Sequence, residues 1–224
     1  MNKYFILTGD IVGSRKKDSL ILWEKLNKII NKADNQFNNL LLSPLQIKKG
    51  DEFQVVVQDI ESVLSLMYYL DICFLSEDIE ARFAIGYGKI ESNVNRTSTN
   101  NMLGSGLTYT NQILNNKKNK YSFYIQDDIY KNISLNTIAV LLEDSLSSVT
   151  KKQIIYLYKK VVEKMSDEQL LIELDIKERN LYRYEVKSKH KLINDVFLKI
   201  SQLFMTNEVE LKTEYYKKYK IQID

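Results

Sequence analysis

The chain has 224 residues, 44% of them hydrophobic and 27% charged, which is typical of a folded globular protein and too apolar for a disordered one. A single cysteine, Cys73, and a single histidine, His190, exclude a disulfide framework and a zinc site built mainly from these residue types. No apolar run approaches the roughly 18 residues of a membrane span, and the N-terminal segment turns polar too early for a signal peptide. We therefore expect a cytoplasmic protein with no membrane partner.

Charge and glycine are both distributed unevenly along the chain. Residues 1–149 hold 16 Lys and Arg against 17 Asp and Glu, a net charge of −1, whereas residues 150–224 hold 16 against 12, a net charge of +4. The seven glycines all lie in the first part, at positions 9, 13, 50, 86, 88, 104 and 106. A glycine-poor chain keeps glycine for tight turns and close backbone approaches. The difference in glycine content and net charge between the two parts predicts two domains, 1–145 and 146–224.

The hydrophobic periodicity of the first part predicts alternating strands and helices. In chain order these are a strand at 3–8, a helix at 18–42, a hairpin of 45–49 with 53–58, a helix at 60–75, a strand at 80–90, a helix at 105–116 and a strand at 121–126. The first helix has Asp18 or Ser19 as its predicted N-cap. The order β-α-β-β-α-β, followed by α-β, predicts an α+β domain with a ferredoxin-like plan and an extension.

Two acidic bends are expected to meet in this fold. The first strand ends at Gly9–Asp10, and the hairpin turns at Gly50–Asp51 beside Glu52. In a ferredoxin-like sheet the end of the first strand lies beside that hairpin. Two carboxylates held close together need a shared proton or a cation, and Mg²⁺ commonly takes one or two carboxylates together with phosphate oxygens. Asp10, Asp51 and Glu52 are therefore candidate catalytic residues of a site for Mg²⁺ or Mn²⁺.

The residues around both bends are suited to binding phosphate. Gly13 allows a tight strand-to-helix turn, in which backbone N–H groups and Ser14 could hold a phosphate group. Arg15 adds positive charge at this turn, and Lys48 and Lys49 add it beside the second bend. Asp and Gly are also ordinary turn formers, so a purely structural role for both bends stays open.

Three segments carry a resemblance to known proteins: LTGDIVGSR at 7–15, KKGDEFQ at 48–54 and RFAIGYGKI at 82–90. Over most of its length the chain resembles the SatD family of bacterial proteins. Over its first 125 residues it is more remotely similar to the catalytic domain of class III nucleotidyl cyclases and to the palm domain of GGDEF-type diguanylate cyclases. DIVG matches the cyclase DIxGF block, GDEF the second metal-ligand hairpin, and FAIGYG the strand that ends in a glycine pair.

This resemblance implies particular roles for the matched residues. Asp10 and Asp51 would be metal ligands, the Ile11 carbonyl another, and Glu52 a candidate third carboxylate. A nucleoside triphosphate would be bound by residues from both bends, namely Ile11, Gly13, Ser14, Arg15, Lys48 and Lys49. Because class III cyclase sites form between two subunits, the resemblance also implies a homodimer.

The sequence departs from the cyclase patterns at two places. Thr108 and Gln112 stand where class III cyclases have the Asn and Arg that stabilise the transition state, and Lys49 replaces the first Gly of the GGDEF signature. Losing such a guanidinium costs about three to five orders of magnitude in rate. The classical cyclase reaction is therefore not expected, whereas a GGDEF-like nucleotidyl transfer, or nucleotide binding without turnover, stays open.

Beyond residue 150 the hydrophobic periodicity predicts only helices, at 150–165, 166–174, 178–190 and 191–204. A short turn followed by a helix with basic residues near its start is typical of a helix-turn-helix module. Between residues 177 and 191 there are six Lys and Arg against two acids. The candidate contacts to duplex DNA are Arg179, Asn180, Arg183 and Lys187. A solvated helix face or a protein interface would explain the same charges.

Two functions from different classes fit these patterns. In the first, a cyclase-like or palm-like domain binds a divalent metal and a nucleotide, is a candidate nucleotidyl cyclase or transferase, and is coupled to a DNA-binding helix-turn-helix module. In the second, the chain is a non-enzymatic transcription regulator, and its degenerate cyclase fold serves dimerisation. They differ in whether loss of Asp10 and Asp51 changes nucleotide binding.

Overall fold

The computed structural model describes residues 2–205 and 208–219. Its strands are β1 (Lys3–Ile11), β2 (Gln46–Lys49), β3 (Glu52–Val57), β4 (Ala81–Lys89) and β5 (Tyr121–Ile125). Its α-helices are α1 (Ser19–Phe37), α2 (Ile60–Ser76), α3 (Ser105–Asn115), α4 (Ile129–Ser147), α5 (Lys151–Leu157), α6 (Asp167–Glu173), α7 (Glu178–Lys187), α8 (His190–Gln202) and α9 (Glu208–Tyr219). None of the helices within these residues is both long enough and apolar enough to cross a bilayer.

The strands form one mixed sheet in the order β2-β3-β1-β4-β5, in which β4 and β5 are parallel and the other neighbours antiparallel. This is the predicted βαββαβ plan, extended by α3 and β5, so the predicted order of the first eight elements is confirmed. β1 is longer than predicted and ends at Ile11. Asp10 is therefore a strand residue, paired with Arg82 of β4, and does not lie in a turn.

The two faces of the sheet are covered differently. Phe5, Leu7 and Ile11 of β1 belong to the main core, which α1 and α2 cover. Ile6 points to the opposite face, where it joins a smaller apolar cluster with residues of α3 and the segment before it. Thr8 follows on that face, and its hydroxyl donates to Asn111 of α3 at 3.2 Å. Asp10 lies on the same face by alternation. Polar side chains therefore occupy this face at the C-terminal end of β1.

Helix α3 lies very close to β4. A Cβ built on Gly88 would lie 2.6 Å from Cα of Gly106, and one on Gly86 would lie 1.8 Å from Oγ1 of Thr110. Only glycine leaves room for this approach. The predicted use of the β4 glycines for close backbone contact is confirmed.

Helix α4 covers the free edge of β5 and is absent from the predicted elements. The side-chain amide of Asn132 donates to the carbonyl of Ile125 and accepts from its N–H, both at 2.7 Å. One turn later, Asn136 makes the same two hydrogen bonds to Phe123, both at 2.9 Å. The two side-chain amides therefore form the hydrogen bonds with the outer edge of β5 that a sixth strand would otherwise form.

The helices after residue 150 share the main core with the sheet. Tyr156, Leu170 and Ile193 belong to the same continuous cluster as Leu7, and α5 and α8 pack on α2. A separate all-α helix-turn-helix domain is therefore not confirmed, although its two helices exist as α6 and α7. The domain boundary at 145/146 stays a prediction, and residues 206, 207 and 220–224 of the second part lie outside the described residues.

Candidate functional site

Asp10 and Glu52 lie on the same face of the sheet, the one covered by α3. Thr8 of β1 is registered with Gln54 of β3. The pairing of β1 with β3 ends at Gly9 and Phe53. By alternation, Asp10 of β1 is on the face of Thr8, and Glu52 of β3 is on the face of Gln54, which is the same one. Asp51 belongs to the hairpin turn and lines a cavity against α1 on the other side. The C-terminal end of β1 lies beside the hairpin of β2 and β3, and Glu52 is the acid that shares the face of Asp10.

Arg82 holds the carboxylate of Asp10. Its Nε donates to Oδ1 at 2.9 Å and its Nη2 to Oδ2 at 2.7 Å. The exposed fractions of the Arg82 and Asp10 side chains are 15% and 9%. Both carboxylate oxygens are therefore engaged in a largely buried, bidentate ion pair, the strongest common geometry for these two groups.

This arrangement does not fit a divalent ion bound to Asp10. The guanidinium of Arg82 supplies the positive charge that a cation would supply, and it donates a hydrogen bond to each oxygen. Within residues 2–205 and 208–219, no three His, Cys, Asp or Glu side chains form a group that could hold a metal ion.

A cavity of about 280 Å³, here called the α1 cavity, opens between the β1–α1 turn and the hairpin tip. Its lining comes from three elements: Ser14 and Arg15 of the turn, Gly50 and Asp51 of the hairpin, and Ser19, Leu22, Trp23 and Leu26 of α1. The Trp23 side chain is 56% exposed, so one flank of its ring remains available to a ligand. The α1 cavity brings together three predicted site residues, Ser14, Arg15 and Asp51.

Local backbone geometry explains how the turn reaches this cavity. Gly13 has φ of 68°, in the left-handed region that glycine tolerates, and a short 3₁₀ turn follows it. Helix α1 then begins, and its N-cap Asp18 accepts from the N–H groups of Leu20 and Ile21 at 3.0 and 3.2 Å. Because this carboxylate already caps α1, the groups at the turn best suited to an anion are the side chains of Arg15 and Ser14.

The remaining predicted nucleotide contacts lie outside the α1 cavity. Lys48 and Lys49 are exposed residues of β2, and neither lines the cavity. Nζ of Lys48 donates to Oε1 of Gln54 at 3.3 Å, which places it toward the α3 face. These lysines therefore flank the hairpin without completing the cavity.

The four predicted DNA contacts are exposed residues of α7. Asn180, Arg183 and Lys187 line a groove of about 370 Å³ between α7 and the start of α5, where Lys152 joins them. No carboxylate lines this α5–α7 groove. Arg179 lies outside it. In the described part of the chain, Lys152, Arg183 and Lys187 form no ion pair, so their charges face solvent.

Three residues of these sites were missed by sequence reasoning. Trp23 lies beside the apolar stripe of α1, and its place in the cavity depends on the packing of the hairpin tip against α1. Arg82 is one of two cations in a largely apolar strand, but its partner depends on strand register. Lys152 gave no signal, because it joins the groove only through the packing of α5 against α7.

Comparison with known proteins identifies the family. The model of the SatD family matches residues 4–206. The chain belongs to the SatD family. The resemblance seen in the sequence is thereby confirmed for most of its length, whereas no curated protein matches this SatD family member.

Several solved structures of nucleotide cyclases are remotely similar to this SatD family member. The adenylyl cyclase CyaB from P. aeruginosa is 15% identical over 59% of this chain and 80% of that one, with a TM-score of 0.40. The guanylyl cyclase Cya2 is 12% identical over 51% and 70%, with a TM-score of 0.33. A bacterial light-regulated adenylyl cyclase is 11% identical over 55% and 75%, with a TM-score of 0.38. Similarities this low establish no activity.

Proposed function

We propose that this SatD family member binds a nucleoside triphosphate, with the base in the α1 cavity. The observation that carries the proposal is the lining of that cavity, which joins an exposed tryptophan, a carboxylate and an arginine from three separate segments. At about 280 Å³ the cavity is large enough for a base. The phosphates would then extend along the β1–α1 turn toward solvent.

The lining residues have complementary roles in this mode of binding. Trp23, with Leu22 and Leu26 behind it, offers an apolar surface on which a planar base stacks. Asp51 can accept an N–H from the edge of the base. Arg15 and Ser14 supply a charged and a neutral donor to phosphate oxygens.

Turnover is a separable part of the proposal. The catalytic roles of Asp10, Asp51 and Glu52, and the accompanying Mg²⁺ or Mn²⁺, require Asp10 to be available. Because Arg82 neutralises that carboxylate, no reaction step is assigned to a metal here, and nucleotide binding stands on the α1 cavity alone.

Isothermal titration calorimetry with ATP and GTP, in the presence of Mn²⁺ or EDTA, tests this proposal. We expect the wild type to bind, and Trp23→Ala or Arg15→Ala to weaken binding at least about tenfold through lost stacking or phosphate contact. Leu20→Ala is the matched control, because Leu20 is an exposed apolar residue of α1 that does not line the cavity. Equal affinities of wild type and Trp23→Ala would contradict the proposal, and binding in EDTA would show that no cation is required.

The α5–α7 groove favours a second function, binding to duplex DNA. Its three basic side chains without a carboxylate are suited to contacts with successive phosphates. This function also fits the non-enzymatic regulator, since it does not depend on Asp10 or Asp51.

Fluorescence anisotropy with duplex DNA at several salt concentrations tests the second function. We expect Arg183→Ala and Lys187→Ala each to weaken binding and to reduce the salt slope by about one. Lys199→Ala removes an equal charge from the exposed side of α8 and should have little effect. If all three variants behave alike, the groove is not the DNA contact.

A further inference from the structure

The outer face of α4 is apolar although it is exposed. Five apolar side chains on this face, Ile129, Tyr130, Ile133, Val140 and Leu141, are 63%, 82%, 60%, 51% and 63% exposed. Asp144 is the only charged residue among the exposed positions of α4, in a chain with 27% charged residues. The opposite side of α4 packs into the core. A helix that is apolar on both sides is typically covered on both.

The residues of this face are arranged symmetrically about Thr137. Ile133 lies four residues before it and Leu141 four after it, whereas Tyr130 lies seven before and Asp144 seven after. Steps of three and four residues keep all five on one stripe of the helix. The Thr137 hydroxyl is already bonded to the Ile133 carbonyl at 2.9 Å, so this small side chain can lie at a close helix crossing.

We propose that two copies of this chain associate through α4, with the helices antiparallel and the two-fold axis beside Thr137. Each Ile133 then meets Leu141 of the partner subunit, and each Tyr130 hydroxyl can donate to Asp144 of the partner subunit. This is the self-complementary pattern that a two-fold interface requires. The five apolar residues expose roughly 600 Å² per copy, so their complete burial in the pair would remove about 1,200 Å² from solvent, the lower limit of stable specific interfaces.

This interface is independent of the proposed nucleotide site. α4 covers the β5 edge of the sheet, whereas the α1 cavity includes the hairpin tip of β2 and β3, the strands at the opposite edge. Each copy therefore keeps a complete cavity of its own. Loss of dimerisation and loss of nucleotide binding would be separately observable.

Sedimentation equilibrium of the full chain tests the interface. We expect a dimer for the wild type, and monomers for Ile133→Lys and for Leu141→Glu, with dissociation constants raised about a hundredfold or more, because each change puts two buried charges into the interface. The matched control is Ile172→Lys on α6, where the isoleucine is 81% exposed and the dimer should persist. Circular dichroism verifies that each variant is folded.

Mixing the two monomeric variants tests the register. In a mixed dimer the introduced lysine of one copy faces the introduced glutamate of the other, and the second contact remains Ile133 with Leu141. We expect the mixture to dimerise although neither variant does so alone. A monomeric wild type, single variants that remain dimers, or a mixture that stays monomeric would each overturn the proposed pairing.

Discussion

Arg82 and Asp10 face each other across β4 and β1, and the guanidinium binds both oxygens of the carboxylate. The pair explains how a charged residue lies buried in the centre of a sheet, since a buried charge is stable only when it is paired. It also bears on the two roles that the sequence left open for Asp10, structural residue and metal ligand. Asp10 can be a structural ion-pair partner or a metal ligand, but in this geometry it is the former.

Replacing Arg82 by alanine should therefore be strongly destabilising. The Asp10 carboxylate would be left buried without a counter-charge, and we expect the free energy of unfolding to fall by about 3–5 kcal/mol, as measured by urea denaturation. The double variant Arg82→Ala/Asp10→Asn should recover part of this loss. Lys151→Ala, which breaks an exposed ion pair with Asp78, should change little because solvent screens that pair. A similar small loss for Arg82→Ala would mean that the carboxylate finds water or another partner.

The sequence predicted those parts of the fold that depend on local patterns. Some features depend only on residues that are close in sequence, and the structure contains each of them: the apolar stripe of α1 that begins at Leu22, the N-cap at Asp18 and the turn at Gly50. The contact between Arg82 and Asp10 could not be read in this way, because strand register decides which side chains face each other. Helix α4 was missed because its apolar residues surround it and leave no single stripe.

The same distinction applies to the candidate site. The sequence predicted that the end of the first strand would lie beside the hairpin, and the α1 cavity has one wall from the β1–α1 turn and another from the hairpin tip. It favoured Asp51 as the partner of Asp10, whereas the alternation of β3 places Glu52 on the face of Asp10. Trp23 became a site residue only once the hairpin tip was known to lie against α1. The sequence was enough to predict that the end of β1 and the hairpin lie close together. It was not enough to predict which of their side chains face each other.

Gly106→Ala should destabilise the protein by bringing two backbones into conflict. A Cβ at this position would lie 2.7 Å from the carbonyl carbon of Gly88, and backbone atoms cannot move aside as a flexible side chain can. We expect a loss of about 1–3 kcal/mol in the free energy of unfolding. The contrast is Gly50→Asn: Gly50 has φ of 62° with nothing within 4 Å of a built Cβ, and asparagine tolerates that backbone. If both variants unfold at the same urea concentration, α3 does not approach β4 as closely as described.

The single histidine should make stability depend on pH below neutrality. Burial lowers the pKa of His190 from its ordinary value of 6.5, nearby Lys160 lowers it further, and Glu185 opposes both. The unfolded chain therefore takes up a proton at a higher pH than the folded chain does. The stabilisation from neutral His190 is present above pH 6.5 and is lost as the pH falls through the lower folded pKa.

We expect the free energy of unfolding to fall between about pH 7 and pH 5 more steeply for the wild type than for His190→Gln. Carboxylates contribute equally to both proteins, so the difference between the two profiles isolates the histidine. Proton NMR of the imidazole measures the folded pKa directly. The His190 ring stacks on that of Tyr68 with the centroids 5.9 Å apart. A midpoint at or above 6.5, the ordinary value, would contradict the burial of the imidazole in this contact.

The asparagine pair on α4 should protect the β5 edge. In Asn136→Ala, the N–H and carbonyl of Phe123 lose the partners that they have at 2.9 Å, which costs about 1–3 kcal/mol if water does not replace them. The uncovered edge also becomes a template for strand pairing between molecules, so light scattering on mild heating should rise. Ser134→Ala on the exposed side of the same helix controls for helix propensity and should leave both measurements unchanged. Amide hydrogen exchange locates the effect: Phe123 should exchange faster in Asn136→Ala while Ile125, still held by Asn132, stays protected, and equal acceleration at both positions would instead mean that α4 detaches as a whole.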